Sequence, residues 1–248
     1  MPRRLWYNSV IRTAGPRIES KKEGIAIKSW LRVALFLGIT AFLTRLLPFS
    51  DFFRNVDTLV HEMSHAIVTL LLSGDVRYIH LYSDQSGLTY TAYAGHWKSI
   101  PISLAGYFGS ALFATLLFYL HSLRKERAGL IAIATIAVLG LALFVRNGFG
   151  AAWCAGFAVL TILIVVLSRP GLIKGYYLLI AFICLVESVI SALIILSLSL
   201  QQPGAAGDAT NLDSATYIPA LFWGLLFAVF SLVCARSSIK LFYKRGFD

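Results

Sequence analysis

The sequence predicts an all-α polytopic membrane protein with six to seven transmembrane helices and a small β-hairpin, and two observations lead to this fold class. Of its 248 residues, 58 % are hydrophobic and only 14 % are charged, whereas about 25 % of the residues in an ordinary soluble domain are charged. Several apolar runs also come close to the length of roughly 20 residues that a helix needs to cross about 30 Å of hydrocarbon. The composition therefore excludes a typical water-soluble globule.

Seven apolar runs follow one another along the chain. We expect each of them to be helical, because lipid offers no hydrogen-bonding partner to an unpaired backbone N–H or C=O group. The second run is shorter than its neighbours and is preceded by polar residues, which makes it the best candidate for a partial or re-entrant helix. The approximate bounds of the seven runs are 30–49, 58–72, 100–120, 129–145, 151–167, 176–200 and 215–235.

A β-hairpin is predicted between the second and third runs, over residues 76–91. β-Branched and aromatic residues flank the turn-forming sequence Ser-Asp-Gln-Ser-Gly at 83–87. This pattern is typical of two short antiparallel strands joined by a tight loop. The hairpin would follow directly on the short second helix.

The charges divide the chain into three parts. There are 22 basic and 12 acidic residues, a net charge of +10, and basic residues are dense in the flank 1–29 and in the tail 237–248, on either side of a single transmembrane domain at 30–236. A basic flank directly before an apolar run is typical of a cytoplasmic segment attracted to anionic lipid. We therefore expect the lipid bilayer as partner and no nucleic acid, and a multi-pass protein of the plasma (inner) membrane with a cytoplasmic amino terminus.

Two topologies are compatible with the positions of the basic segments. Lys and Arg concentrate in the cytoplasmic loops of membrane proteins. The amino terminus, the loops 124–127 and 169–174 and the tail are basic, whereas the segment 201–214 contains no basic residue and is expected outside. If the second run is only partial, all the basic segments share the cytoplasmic side. If all seven runs cross, either the amino terminus or the later basic loops lie outside.

The second run contains the sequence His61-Glu62-Met63-Ser64-His65. On a helix, residues four apart lie on one face, so His61 and His65 can present two imidazoles to one zinc ion. Zinc lowers the pKa of its bound water, from which Glu62 would take a proton as general base, and the resulting hydroxide would attack a peptide carbonyl. Ionisable groups are costly in an apolar helix, and the HExxH spacing is that of zinc metalloproteases, so we predict a metal site here.

A catalytic zinc site usually has three protein ligands, and two carboxylates compete to be the third. Glu187 lies near the middle of the sixth run, where a lone carboxylate needs a metal or another partner. Asp208 closes the glycine-rich segment before the seventh run and could fold back toward a site near the membrane edge. Asp213 is expected only to cap the last helix. The residues themselves leave the choice between Glu187 and Asp208 open.

The remaining histidines and the cysteines carry less functional weight. His80, His96 and His121 are expected at the membrane interface or in solvent. The three cysteines lie in apolar runs without metal-ligand spacing, so they are expected to be small packing residues. They are Cys154, Cys184 and Cys234.

Taken together, these motifs resemble those of the M50B-like branch of the site-2 protease (M50) family, a group of polytopic membrane zinc proteases. The zinc motif is the most specific of them, and the others gain weight from their order along the chain. The further matching segments are 74–81, Ser86-Gly87-Leu88-Thr89, Ala105-Gly106-Tyr107-Phe108-Gly109, Arg146-Asn147, Gly207-Asp208-Ala209 and Ile218-Pro219. The resemblance runs from about residue 55 to residue 235.

The resemblance implies a zinc-dependent endopeptidase that cleaves a membrane protein or peptide substrate within or beside the membrane. His61, His65 and a carboxylate from a later helix would bind zinc, with Glu62 as the general base. Glu187 falls where members of this branch often carry an acidic residue in a transmembrane helix, and Asp208 matches their Ser-Asp-Ala segment. The hairpin resembles the β segment that is thought to hold an extended substrate by strand addition.

The sequence departs from the family pattern at two points. Ser64 replaces the glycine that usually precedes the second motif histidine, and the sixth run lacks the Asp-Gly pair that marks the third ligand in the wider family. The alternative function is a non-proteolytic polytopic membrane protein, either a transporter or a metal-binding scaffold that retains the fold. A transporter is expected to have two related halves, and the sequence shows no convincing pair of halves.

Overall fold

The computed structural model describes residues 31, 33–42, 46 and 50–245. The expected basic flank, 1–29, lies outside these residues. The chain divides into two compact units between Thr40 and Ala41. A short apolar helix, α1 (Val33–Phe42), stands at the beginning of the described chain, and the fold described below is that of the second unit.

The second unit consists of helices and one small two-stranded sheet. In chain order its elements are α2 (Ser50–Leu71), β1 (Asp75–Leu81), β2 (Gly87–Ala92), α3 (Ser99–Ser122), α4 (Glu126–Leu139), α5 (Gly148–Leu167), α6 (Pro170–Gln201), α7 (Asp208–Thr216) and α8 (Ala220–Arg245). Among the described residues, five helices are long and apolar enough to cross a membrane, namely α3, α4 with its π-helical extension Gly140–Phe144, α5, α6 and α8. The predicted fold class, an all-α polytopic membrane protein with a small hairpin, is confirmed.

The helix α2 differs from the five spanning helices because its first turns are polar. They contain Asp51, Arg54 and Asp57, and the guanidinium of Arg54 donates two hydrogen bonds to the carboxylate of Glu187, near the middle of α6. The indole N–H of Trp153 in α5 donates to the carbonyl of Phe52 at 2.7 Å. The start of α2 therefore lies beside the middle of a long apolar helix and not beside its end.

The predicted hairpin is confirmed, with its turn where the sequence places it. β1 and β2 pair antiparallel, and the last pair before the turn is Leu81 with Gly87. The turn is stabilised by Asp84, whose carboxylate accepts hydrogen bonds from the amide and the hydroxyl of Ser86. These two bonds lower the pKa of the exposed Asp84 carboxyl.

The strand β1 has a second neighbour on the edge that faces away from β2. The side-chain amide of Asn147 accepts a hydrogen bond from the N–H of Leu81 at 3.1 Å and donates to its carbonyl at 2.6 Å. The N–H of Arg146 donates to the carbonyl of Ile79 at 3.1 Å. The main-chain groups of Leu81 and the carbonyl of Ile79 therefore point away from β2, and the segment between α4 and α5 holds β1 in place.

The structure corrects the expected helix over 215–235. That run is broken, because Tyr217 has a left-handed backbone (φ 60°) and Pro219 lacks an N–H and disfavours a helical Ile218. The last helix begins at Ala220, whose N–H donates to the Asp213 carboxylate at 3.1 Å, so Asp213 caps this helix as expected. It continues through the expected tail, 237–248, as far as Arg245.

The segment 201–214 is also more ordered than a plain loop. It contains a single 3-10 turn, Pro203–Ala205, followed by the helix α7. Asp208, expected at the end of a glycine-rich loop, is instead the first residue of α7. Its position is therefore set by a helix.

Of the three remaining histidines, His96 is exposed and His80 is half-buried, whereas His121 is buried inside the protein, so the alternative that placed it in solvent is wrong. Its side chain is 1 % exposed, and Nδ1 lies 2.8 Å from a carboxylate oxygen of Glu126 at the start of α4. Burial is tolerated because this carboxylate satisfies the ring. The three cysteines are buried, as expected for packing residues.

Candidate metal centre

The helix α2 presents His61 and His65 on one face, with their ring centroids 4.7 Å apart. Nδ1 of His65 lies 2.7 Å from the carbonyl oxygen of Ile102 in α3. Because a carbonyl only accepts, Nδ1 of His65 carries a proton and donates it, and the other ring nitrogen, Nε2, faces Asp208. This is the arrangement in which a histidine serves as a metal ligand.

Asp208 completes a group of three candidate ligands. Its Oδ2 lies 3.3 Å from Nε2 of His61 and 3.2 Å from Nε2 of His65, and the three ligand atoms all lie within 4.8 Å of one another. Among the described residues this is the group of histidine, cysteine and acidic side chains that is arranged to hold a metal ion. The ligand atoms of two residues from α2 and of one residue from α7, which is far away in the sequence, thus lie close together.

The position of Asp208 follows from the turn before it and from the packing of α7. Gly207 has φ 52° and ψ −123°, a conformation that is costly for any residue with a side chain. It lets the chain reverse direction immediately before α7. The apolar face of α7 is fully buried at Ala209 and Leu212, next to the equally buried Ala206.

The charge state of Asp208 suits metal binding. Burial by itself would raise the pKa of this carboxyl, but the neighbouring imidazoles of His65 and His61 outweigh that effect and hold the pKa below its usual range. The side chain of Asp208 is only 13 % exposed to solvent. The carboxylate is therefore ionised, which is the form that ligates a cation.

The helix α3 leaves space at this point because it carries glycine. A Cβ built on Gly106 would lie 2.5 Å from Nε2 of His65 and would collide equally with the ring of His61. One turn further on, Gly109 faces Ser64 so closely that a Cβ would overlap its side chain. Ser64, which stands where the family has glycine, is therefore accommodated by a glycine on the facing helix, and its hydroxyl donates to the carbonyl of Val60 at 2.7 Å.

Glu62 lies beside the two histidines but does not belong to the group of ligand atoms. It is 5 % exposed, and its Oε2 accepts a hydrogen bond from the hydroxyl of Thr89 in β2 at 2.6 Å. Together with His61, His65 and Asp208 it lines a cavity of about 510 Å³. The other walls of this cavity come from β2, α3 and α7.

The structure places Glu187 away from this centre. Its carboxylate forms a two-point ion pair with Arg54, with Oε1 2.8 Å from Nε and Oε2 3.1 Å from Nη2. Of the two carboxylates that the sequence left as alternatives, the fold brings Asp208 to the histidines and Glu187 to an arginine.

Comparison with family profiles gives a match over most of the chain. The profile of the family described as Peptidase M50B-like matches residues 31–237. The chain belongs to this M50B-like family. The resemblance that the motifs indicated is thereby confirmed, and it makes the chain a member of the site-2-protease-like metallopeptidases, which generally depend on zinc. Comparison with curated proteins and with solved structures gives no match.

The M50B-like match spans all the elements that build the centre. α2, the hairpin, α3 and α7 lie within residues 31–237. With five spanning helices among the described residues, this member of the family is a multi-pass membrane protein.

Sequence reasoning named the M50B-like motifs but missed three roles within them. It assigned no role to Thr89, whose hydroxyl binds Glu62, or to Gly106, which leaves space for the imidazoles. It also assigned none to the carbonyl of Ile102, which accepts a hydrogen bond from His65. The spacing of Gly106 and Gly109, on one face of a helix, was the available signal for a close approach of α2 and α3. A carbonyl oxygen gives no such signal, because every residue has one.

Proposed function

We propose that this M50B-like chain is a zinc-dependent endopeptidase that cleaves peptide bonds within or beside the membrane. His61, His65 and Asp208 hold the metal and Glu62 is the general base. The observation that carries the proposal is the convergence of three ligand atoms next to a buried glutamate in one cavity.

Two of the three distances between the ligand atoms suit a zinc ion. A tetrahedral site with Zn–N and Zn–O bonds of about 2.0–2.2 Å has ligand atoms about 3.3 Å apart. The separations of Asp208 Oδ2 from the two imidazole nitrogens are 3.3 and 3.2 Å. Two histidines and one carboxylate are a common ligand set of catalytic zinc, which keeps its fourth position open.

When bound there, a zinc ion would activate a water molecule and polarise a peptide carbonyl. Glu62 accepts the proton that the attacking water loses and later passes it to the nitrogen of the departing peptide. The carboxylate of Glu62 accepts a hydrogen bond from the Thr89 hydroxyl at 2.6 Å. The walls of the cavity limit the access of lipid to the reacting groups.

The outer edge of β2 offers main-chain groups to an extended substrate. In an antiparallel pair, residues opposite each other direct their main-chain groups either both inward or both outward. The N–H and C=O of Leu81 and the C=O of Ile79 point away from β2, so their partners Gly87 and Thr89 direct their own groups to the outer edge of β2. Gly87 and Thr89 line the cavity, which supports binding of the substrate as an added strand.

We further propose that the cavity opens to the non-cytoplasmic side. Because α3, α4, α5, α6 and α8 cross in succession, the α3–α4 turn, the α5–α6 turn and the end of α8 share one side. These contain Arg124, Lys125, Arg169 and Lys244, and basic segments favour the cytoplasm. The hairpin and α7 lie toward the other side. The start of α2 beside the middle of α6 supports the topology with one partial helix.

The function is tested on the purified full-length protein in lipid vesicles, with metal analysis and with cleavage of a panel of tagged single-span membrane peptides. We expect bound zinc in the wild type, and zinc without cleavage in Glu62→Gln. Full cleavage by Glu62→Gln would exclude the assigned base. Zinc in the wild type together with no cleavage of any peptide, or transport of a solute, would favour the non-proteolytic alternative.

A further inference from the structure

The carboxylate of Glu62 is held by the hairpin and not by its own helix. Its side chain contacts two residues of β2, Gly87 and Thr89. Both belong to the segment Ser86-Gly87-Leu88-Thr89, one of the family motifs that the sequence singled out without giving it a task. The structure shows what these two residues touch.

The hydroxyl of Thr89 donates its proton to the carboxylate. Thr89 Oγ1 lies 2.6 Å from Oε2 of Glu62 and 3.1 Å from the main-chain oxygen of the same residue. A hydroxyl has one proton to donate, and a distance of about 2.5–2.7 Å is typical of a hydroxyl bound to an ionised carboxylate. The shorter contact therefore identifies the carboxylate as the main acceptor.

Gly87 provides the space that Glu62 occupies. A Cβ at this position would lie 2.5 Å from Oε1 of Glu62 and 2.7 Å from its Cγ. The glycine and the threonine thus form two walls of a slot for the glutamate. The hydrogen bond to Thr89 and the close approach of Gly87 both restrict the orientation of the Glu62 side chain.

A second hydrogen bond joins α2 to the hairpin without touching the base. Thr58 Oγ1 donates to the carbonyl of Gln85 in the turn at 2.9 Å. The hairpin is therefore tied to α2 at two points, and only the Thr89 point involves Glu62.

We propose that Thr89 is a positioning residue that aims the general base, so that β2 both receives the substrate and sets the orientation of Glu62. The inference rests on the proposed function, since it concerns the base of that reaction. The main-chain groups of Gly87 and Thr89 face the outer edge of β2, and both residues also contact Glu62. A peptide added to that edge lies directly against the residues that hold the base.

Three variants separate positioning from mere packing. Thr89→Val removes the hydroxyl at constant shape, Thr89→Ser keeps it, and Thr58→Val removes the other tether between α2 and the hairpin. For a peptide that the wild type cleaves, we expect Thr89→Val to lower kcat about 10- to 100-fold with little change in KM and full zinc content. Thr89→Ser and Thr58→Val should keep kcat within about threefold of the wild type.

A binding measurement provides a readout that does not depend on cleavage. Acetohydroxamic acid binds zinc and donates a hydrogen bond to a neighbouring carboxylate, so its affinity for the zinc-loaded protein reports the orientation of Glu62. We expect Thr89→Val to weaken this binding as much as Glu62→Ala does, and Thr58→Val to leave it unchanged.

Two results would overturn the proposal. One is a Thr89→Val variant that keeps both kcat and hydroxamate affinity, and the other is an equal loss in Thr89→Val and Thr58→Val. Failure of the proposed function looks different, because the wild type itself would then cleave no peptide while the hydroxamate comparison remains measurable.

Discussion

The carboxylate of Asp208 lies 3.2 Å from the imidazole of His65, although the helices that carry the two residues are far apart in the sequence. This contact favours Asp208 over Glu187 as the proposed third ligand. The first prediction compares them directly. We expect Asp208→Asn to lose most of its zinc on dialysis against a weak chelator, because an amide is a poor zinc ligand. Glu187→Gln should retain zinc at the wild-type level, as measured by metal analysis. The reverse result would assign the ligand to Glu187.

The second prediction concerns the space beside the imidazoles. Gly106→Ala places a methyl group 2.5 Å from Nε2 of His65, so we expect the variant to fold but to bind zinc at least about tenfold more weakly, in line with the effect of disturbing the surroundings of a ligand. Gly156→Ala in α5 is the matched control, because a Cβ there meets nothing within 4 Å. Equal zinc affinities in the two variants would contradict the assigned position of the metal.

The third prediction concerns the turn that aims Asp208. Gly207→Ala forces a side chain into a backbone conformation with φ 52°, at a cost of about 1–3 kcal/mol. We expect weaker zinc binding, measured by competition with a chelator, because α7 must shift to relieve the strain. Gly204→Ala, one turn earlier with open space around it, should bind zinc as the wild type does.

The fourth prediction tests the ion pair between Arg54 and Glu187. Both side chains are largely buried, with 14 % and 9 % exposure. Arg54→Met removes one partner of a largely buried ion pair, which should lower the free energy of unfolding by about 3–5 kcal/mol. The double variant Arg54→Met with Glu187→Leu should recover most of that loss. Unfolding in mixed micelles measures both, and equal destabilisation by the single and double variants would refute a structural role of the pair.

The fifth prediction tests the side on which the cavity opens. The three native cysteines are buried, so single cysteines introduced at exposed positions can be labelled selectively. Ser83→Cys in the hairpin turn should react with a membrane-impermeant maleimide added to intact cells, and Lys125→Cys in the α3–α4 turn should react only after the membrane is opened. The opposite labelling pattern would place the site on the cytoplasmic side.

Sequence reasoning succeeded where the signal is local. Each correctly predicted feature depends on a pattern within a few tens of residues, since helix and strand periodicity act at short range. These features are the helices α3, α4, α5 and α6, the hairpin turn and the HExxH face of α2. The order of the motifs then indicated the family, which the profile match confirmed.

It could not settle what depends on contacts between distant segments. Glu187 and Asp208 were equivalent candidates until the partner of each was known, and those partners, Arg54 and the two histidines, come from another helix. The case of His121 is different, because the partner that makes its burial tolerable, Glu126, is only five residues away, at the start of the next helix. The break before α8 had a local signal, Pro219, but the run was predicted as one helix because most of its residues are apolar.

The way in which α2 and α7 meet at Asp208 also bears on the unfolded chain. An ion bound by both His65 and Asp208 links two positions that are far apart in the sequence. Such a cross-link reduces the conformational entropy of the unfolded chain far more than that of the folded chain. For a closed loop of about 100 residues, this entropic effect is about 4–5 kcal/mol in the loop-closure treatment of disulfides. The metal would thus stabilise the folded chain as well as supply chemistry at the site.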